Sequence, residues 1–529
     1  MSYIWESLNN GYRAQIKLDW PANAVVYSTN SSMVQLHPLP GLTGSIQHFG
    51  DTSSANVIVV GREGKYLLAG AVTAFRSQTM LRAVFEQRRL TAIEVWQPEI
   101  KAGTEPEEMV ILEGDDWRQM LCDYADIAAK KMGVPAIKSD KNMTGYCTWY
   151  YYYKEVTQQN TLENIEALAA NRSPYAAEYV QIDDGYQTFQ GDWLDQCESW
   201  PTPVKEVAEK IIASGMKAGI WLMPTTASTA SRVYREHPDW FVKNEKGETS
   251  VLPGWSPAPD NLWACLDATN PEAREHIVNV FKTFRSWGFT YFKLDGLAYG
   301  LQKGCRRDPD ATSVSAFRLL LKTIREAVPD ALIMGCSEPF LPCLGLIDNA
   351  RVSNDTSRYY DGHGVAPHAL GLGCNIIDTF RLTLGNFFTF DRWFRADPDV
   401  VMARQDNAFY TRSEAKISVL GAIITGVAFT SDHLGKIDAD RNALLAKAQN
   451  IRMRNARPMN VKPNVWPREI EGTIDGKRAV ALVNDTREPM SWKCADIGLS
   501  EKMYDLLDGG EFNGEVTLES HDAVLLMDM

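Results

Sequence analysis

The chain has 529 residues, too many for one ordinary domain, and 45% of them are apolar, enough for a full core. Its net charge of −13 argues against nucleic acid and anionic membranes as partners. The opening MSYIWESLNNGY has no basic-then-apolar leader pattern, the longest apolar run (ISVLGAIITGVAFT) is too short to span a bilayer, and nine cysteines without paired spacing suggest no zinc knuckle, so we expect a soluble, reduced, cytoplasmic protein.

In chain order, the first hundred residues read as strands. AVVYSTN, ANVIVVGREGKYLLAGAVTAF and TAIEVWQ are short β-branched runs broken by Gly, Asn and Pro, the texture of a β-sandwich. DDWRQMLCDYADIAAKKMG has helical spacing, an acidic start and a Lys-Lys-Met-Gly end, and VPAIKSDKN reads as a linker. From Met143 strand-like and helical runs alternate. The strand candidates are GYCTWYYY, EYVQIDDG, KAGIWLMP, FTYFKLDG, ALIMGCSE, ARVSNDT, DRWFRADPD and GVAFTSDH. Helical runs such as NTLENIEALAANR, PVKEVAEKIIASG, PEAREHIVNVFKTFRSWG and SVSAFRLLLKTIREAV separate them. Eight βα units predict an α/β fold, a TIM (β/α)8 barrel, over residues 141–445. An N-terminal β-sandwich domain with its linker helix is expected over 1–140. The runs RAVALVNDT and AVLLMDM predict a small C-terminal β-sandwich domain over 446–529.

Within FTYFKLDG, the alternation of side chains along a strand puts Lys293 and Asp295 on one face, with Phe292 and Leu294 on the other. Two opposite charges on one face of an apolar strand need a reason, and barrel enzymes gather their chemistry at the C-terminal strand ends. Strand two ends in Asp183 and Asp184, strand six in Arg351 and Asp355, strand one in Trp149 and Tyr150. An Asp before Gly is often only a turn residue, but the habit repeats at several ends of one barrel. Glycosidic cleavage needs two carboxylates across the scissile bond and a positive charge that keeps one ionised. Asp295 beside Lys293, with Asp355 on another strand, answers that description. Trp149, Tyr150, Trp221 and Trp255 are candidates for apolar walls around a sugar, though Trp221 sits mid-strand and also reads as core.

The segments YFKLDG, VQIDDGY followed by GDWL, HPDWFV, and GCSEPFLPCLGLIDNARVSNDTS resemble the barrel of glycoside hydrolase family 36, the bacterial α-galactosidases of clan D. The likeness runs in order from Tyr146 to Leu434. It implies Asp295 as nucleophile and Asp355 as acid/base of a retaining, exo-acting mechanism. It implies Asp183 and Asp184 as readers of the galactose 4- and 6-hydroxyls, and Lys293 and Arg351 as contacts to ring hydroxyls. Trp149, Tyr150, Trp221, Trp255 and Cys336 complete the expected substrate contacts. Lys293 would both hold Asp295 ionised and bind sugar. The implied partner is a terminal α-galactoside oligosaccharide or glycan, with no cofactor and no metal. A homo-oligomer stays open.

The chain departs from that pattern in two places. No Ser-Trp-Gly tripeptide occurs in the N-terminal region, and Glu338 stands where small residues are common, as an ion-pair partner or an added substrate contact. Asp397, Asp399 and Asp432 read as turn and cap residues or as supports for the site. His363 and His368 read as loop residues. The competing functions are α-N-acetylgalactosaminidase, a galactosyl transferase like the raffinose synthases, a metal-dependent barrel enzyme and a non-catalytic sugar-binding protein. Lys293 beside Asp295 argues against the metal enzyme, because its charge would repel the ion.

Overall fold

The computed structural model describes residues 3–528 apart from 22–24, 31–42, 49–51, 63, 88, 138–140, 171–174, 255–261, 363–373 and 461–464. The N-terminal strands form two antiparallel five-stranded sheets. Ile16, Leu81, Ile93 and Val95 from one sheet and Ile58, Val60, Leu67 and Ala69 from the other share one apolar cluster, so the sheets face each other across it. The alternation of buried and exposed positions in Arg89–Pro98 is what such a half-buried strand requires.

Helix Trp117–Met132 begins at Asp116, whose carboxylate accepts the backbone N–H groups of Arg118 and Gln119, and ends at Gly133 with φ +73°. Its face of Trp117, Leu121, Tyr124, Ala125 and Ala128 is buried. The Tyr124 hydroxyl donates to Ala71 O at 2.8 Å in the N-terminal sheets, and Trp393 Nε1 donates to Ala125 O at 2.8 Å from the barrel side. One helix therefore ties the two parts together.

The central sheet is parallel and TIM-like. Strands Met143–Cys147, Tyr179–Ile182, Lys217–Leu222, Phe289–Leu294, Leu332–Gly335, Asn349–Arg351 and Arg395–Asp397 pair in chain order, and Val427–Thr430 pairs back onto the first. Val400–Val401, three residues past the seventh strand, pairs with the eighth. All eight strand expectations fall on strands. The first is shorter than expected, because Trp149–Tyr152 is a short helix and not strand. The seventh shrinks to three residues.

Inside the barrel the period of two stacks the residues in layers. Tyr179, Tyr291 and Phe429 form an aromatic floor, with Tyr291 5.5 Å from Tyr179 and 5.8 Å from Phe429 between centroids. Gly145 and Gly219 make room for it: a Cβ there would lie 2.3 Å from the Phe429 ring and 2.4 Å from the Tyr291 ring. Two residues on from Tyr179 and Tyr291 come Gln181 and Lys293, and two further on Asp183 and Asp295. On the opposite side of the strand, Phe292 packs against Phe281 of helix Pro271–Ser286 at 5.1 Å.

After helix Ala439–Asn450 the chain forms an eight-stranded antiparallel sheet. It is fastened to barrel helix Arg412–Thr425 by Lys416, whose ammonium lies 2.7 Å from both Asp508 and Asp522, and by His521 at 2.9 Å from Glu414. Among the described residues no helix is long and apolar enough to cross a membrane.

Candidate active site

Strand two ends in Tyr179-Val180-Gln181-Ile182, and its next two residues turn at the mouth. Asp183 is buried. Its Oδ2 accepts from Lys293 Nζ at 3.0 Å, from Cys147 Sγ at 3.4 Å and from Gln181 Nε2, while its Oδ1 accepts the Asp184 N–H at 2.9 Å. Burial is the largest single influence and works against a charged Lys293, but Asp183 together with Cys336, Cys147 and Asp295 outweighs it and the ammonium is held well above its ordinary value. Asp184 Oδ1 takes Gln187 Nε2 at 2.6 Å, and its Oδ2, buried without a hydrogen-bond partner, has Lys154 Nζ at 3.7 Å. Burial lifts the Asp184 carboxyl to about 6.

Asp295 follows strand four at the same mouth. Its Oδ2 accepts the Trp221 indole N–H at 3.1 Å, its Oδ1 the Gly296 N–H at 2.6 Å, and the Cys336 thiol also bonds to it. Burial pushes its pKa up, yet the charges of Lys293 and Arg351 with these hydrogen bonds win, and the net shift is downward. It stands as a carboxylate poised at the end of a strand.

Asp355 follows strand six with its side chain 45% exposed. Arg351 Nη2 lies 2.5 Å from Asp355 Oδ1, and Nη1 lies 3.0 Å from both Asp399 Oδ1 and the Tyr150 hydroxyl. The guanidinium fork thus spans two carboxylates. Asp399, with φ +77°, also accepts the Thr356 N–H at 2.7 Å, gripping the backbone next to Asp355. Burial first, and then the Asp399 charge, lifts Asp397 to about 7.

Among the described residues the expected site residues therefore gather at one mouth, with three changes of part. Tyr150 and Trp221 are each 1% exposed, so neither ring is open to a sugar. Tyr150 offers its hydroxyl to Arg351, and Trp221, packed edge-on against Trp193 at 5.8 Å, offers its N–H to Asp295. Cys336 is fully buried beneath Asp295. Glu338 has no ion-pair partner among the described residues: it is fully buried, both oxygens lack a hydrogen bond, and burial lifts it to about 8. Its carbon chain lies 3.2–3.3 Å from where a Cβ on Gly335 would stand. Trp149 is partly open and meets Tyr153 edge-on at 5.5 Å. Trp255, His363 and His368 lie outside the described residues.

Sequence reasoning missed Gln181, Gln187, Lys154 and Tyr153, which carried no signal beyond their place just before or after strand ends. Asp432 is a support: fully buried, it holds the Ala403 and Arg404 N–H groups and the Arg404 guanidinium, which in turn bonds to Tyr150 O. Among the described residues no cluster of three or more His, Cys, Asp or Glu side chains is arranged to hold a metal ion.

Residues 147–338 match the melibiase family, a stretch that takes in Asp183, Asp184, Lys293 and Asp295 and stops short of Asp355. An A type blood α-D-galactosamine galactosaminidase of Flavonifractor plautii is 28% identical over 121 residues, 22% of this chain and 11% of that protein. The α-galactosidase Mel36A of Lactobacillus acidophilus is 24% identical over 190 residues, 33% of this chain and 25% of its own. The chain thus aligns with a quarter or less of these relatives' length. The fold is shared with an α-galactosidase from Thermus thermophilus solved with p-nitrophenyl α-D-galactopyranoside, at TM-score 0.69 and 21% identity over 90% of this chain and 95% of that one. Much of the mouth, Asp183, Asp184, Lys293 and Asp295 included, lies in a segment that matches the melibiase family, and the chain is similar to α-galactosidases of the glycoside hydrolase family 36 type.

Proposed function

We propose that the protein is a retaining, exo-acting glycoside hydrolase that releases terminal α-linked galactose from oligosaccharides or glycoconjugates, with a barrel over 141–445 between β-domains at 1–140 and 446–529. The observation that carries the reading is the contrast between two carboxylates at one mouth. Asp295 is kept ionised by Lys293 and Arg351, and Asp355 is exposed on the arm of Arg351. In the first step Asp295 attacks the anomeric carbon while Asp355 gives its proton to the departing oxygen. In the second, Asp355 takes a proton from water, which breaks the glycosyl–Asp295 bond and returns both groups to their starting states. Asp184, with one buried oxygen free of any hydrogen bond, suits a hydroxyl that points at it and penalises its absence.

The test is kinetic. The aryl α-galactoside is expected to exceed the aryl α-glucoside by at least roughly 100-fold in kcat/KM, and Asp184→Ala to shrink that margin. Comparable values for the two sugars would overturn the galactosidase reading. A 2-acetamido aryl α-galactoside belongs in the same series, because the likeness to the galactosaminidase favours that sugar as the second reading.

A further inference from the structure

Phe409 is 61% exposed, although it is a large apolar side chain held in a fixed place. Its backbone N–H donates to Arg358 O at 2.8 Å, and it forms a parallel bridge with Tyr359. The two rings stack at 4.9 Å with 7° between their planes. The Arg358 guanidinium stands 5.5 Å from the Tyr359 centroid and 5.3 Å from that of Phe409. Those three distances form a nearly isosceles triangle, so the cation flanks the stack and does not cover it. Arg358 is fixed by a 2.6 Å bond from Nη1 to Asn407 Oδ1. Tyr359 covers one face of the Phe409 ring, and among the described residues no other ring stacks on it.

This platform belongs to the mouth. Arg358 and Tyr359 come three and four residues after Asp355 on the loop leaving strand six, and Phe409 is on the loop leaving Val400–Val401, so both loops leave C-terminal strand ends. Tyr151 holds the second loop through a 2.6 Å bond to Asp406, and Arg404 bonds to both Asn407 O and Tyr150 O. The Tyr153 phenol feels Asp355 and Arg358 together, which puts the acid/base candidate and the flanking cation in one neighbourhood.

We propose that the exposed Phe409 ring, edged by Arg358, is the binding place of the leaving-group sugar. The inference rests on the glycosidase reading above, and on Asp355 as its acid: the group that receives the proton must lie on the Asp355 side of the scissile bond. A pyranose or furanose ring has a C–H face that suits a flat aromatic surface and hydroxyls around its edge that suit a guanidinium. The stack is already tied by the Phe409 N–H bond to Arg358 O and the Arg358 bond to Asn407, which lowers the ordering left for binding to bring about.

The experiment compares the full chain with Phe409→Ala and Phe409→Trp on two substrates. One is an α-galactosyl disaccharide whose leaving group is a sugar, and the other is α-galactosyl fluoride, whose leaving group has no ring. Phe409→Ala is expected to lower kcat/KM for the disaccharide about tenfold and leave the fluoride within twofold, and Phe409→Trp to restore the disaccharide value. Equal losses on both substrates, or no loss on the disaccharide, would overturn the platform while the glycosidase reading stands. Absence of turnover of either substrate by the unaltered chain would overturn the glycosidase reading and the platform with it.

Discussion

The Lys293 ammonium bonds to Asp183 at 3.0 Å, and not to Asp295 two residues along its own strand. Lys293 therefore acts on Asp295 through its field, while direct contact to the carboxylate comes from Trp221, Gly296 and Cys336. The strand puts all these groups on one side, but the pairing is across strands.

Lys293→Met should have two effects. It leaves Asp183 buried without its cation, a loss of about 3 kcal/mol read as a lower urea midpoint. It also removes the largest charge that lowers the Asp295 pKa, so the acidic limb of the kcat/KM profile should move to higher pH. An unchanged acidic limb in a folded variant would detach Lys293 from Asp295.

Asp295→Gly should keep the circular dichroism spectrum and lose about four orders of magnitude in kcat. Azide is expected to restore part of the turnover and to form the β-galactosyl azide, because it enters from the face the carboxylate vacated. Near-normal turnover without azide would remove Asp295 from the nucleophile's place.

Asp399→Asn should weaken the grip on both the Arg351 fork and the Thr356 backbone. The expected result is a loss of about tenfold in kcat that is larger for a sugar leaving group than for an activated aryl one, since only the former depends on protonation. A loss equal for both leaving groups would make Asp399 merely structural.

Glu338 should write itself into the pH dependence of stability. Burial holds it protonated to about 8, whereas an unfolded Glu ionises near 4.3. Its contribution is complete below the unfolded value, falls by about 1.4 kcal/mol per pH unit as pH rises between the two values, and is flat above the folded one. Glu338→Gln lacks this dependence, so the Tm of the variant minus that of the parent should grow from pH 5 to pH 8. A constant difference would mean that Glu338 is ionised in the folded protein.

The barrel was legible because its strands are short apolar runs that end in charged or Asp-Gly signals, and because the period of two assigns Lys293 and Asp295 to one face without any knowledge of neighbours. Partners were not legible. Nothing in the sequence joins Arg351 to Asp399, 48 positions on, or tells that Trp221 contributes an N–H and not a ring face. The run Trp149–Tyr152 was read as strand because aromatics favour sheets, but the chain turns at Thr148, where the Asp183 N–H binds the threonine hydroxyl. Glu338 misled in the other direction: a charged residue type suggests a partner, and the side chain is lodged over Gly335 with no hydrogen bond or ion pair among the described residues.

The Lys416 clamp bears on how the molecule can be cut. Its side chain is 4% exposed, and both its acidic partners lie in the C-terminal β-region, Asp522 on a strand and Asp508 in a turn between two strands. A truncation after residue 450 would strand a cation in the former interface and bare the buried flank of helix Arg412–Thr425, which leads directly into the eighth strand. The barrel is thus not a transplantable cassette, and shuffling domains among relatives at this seam needs the aspartates carried along with the lysine.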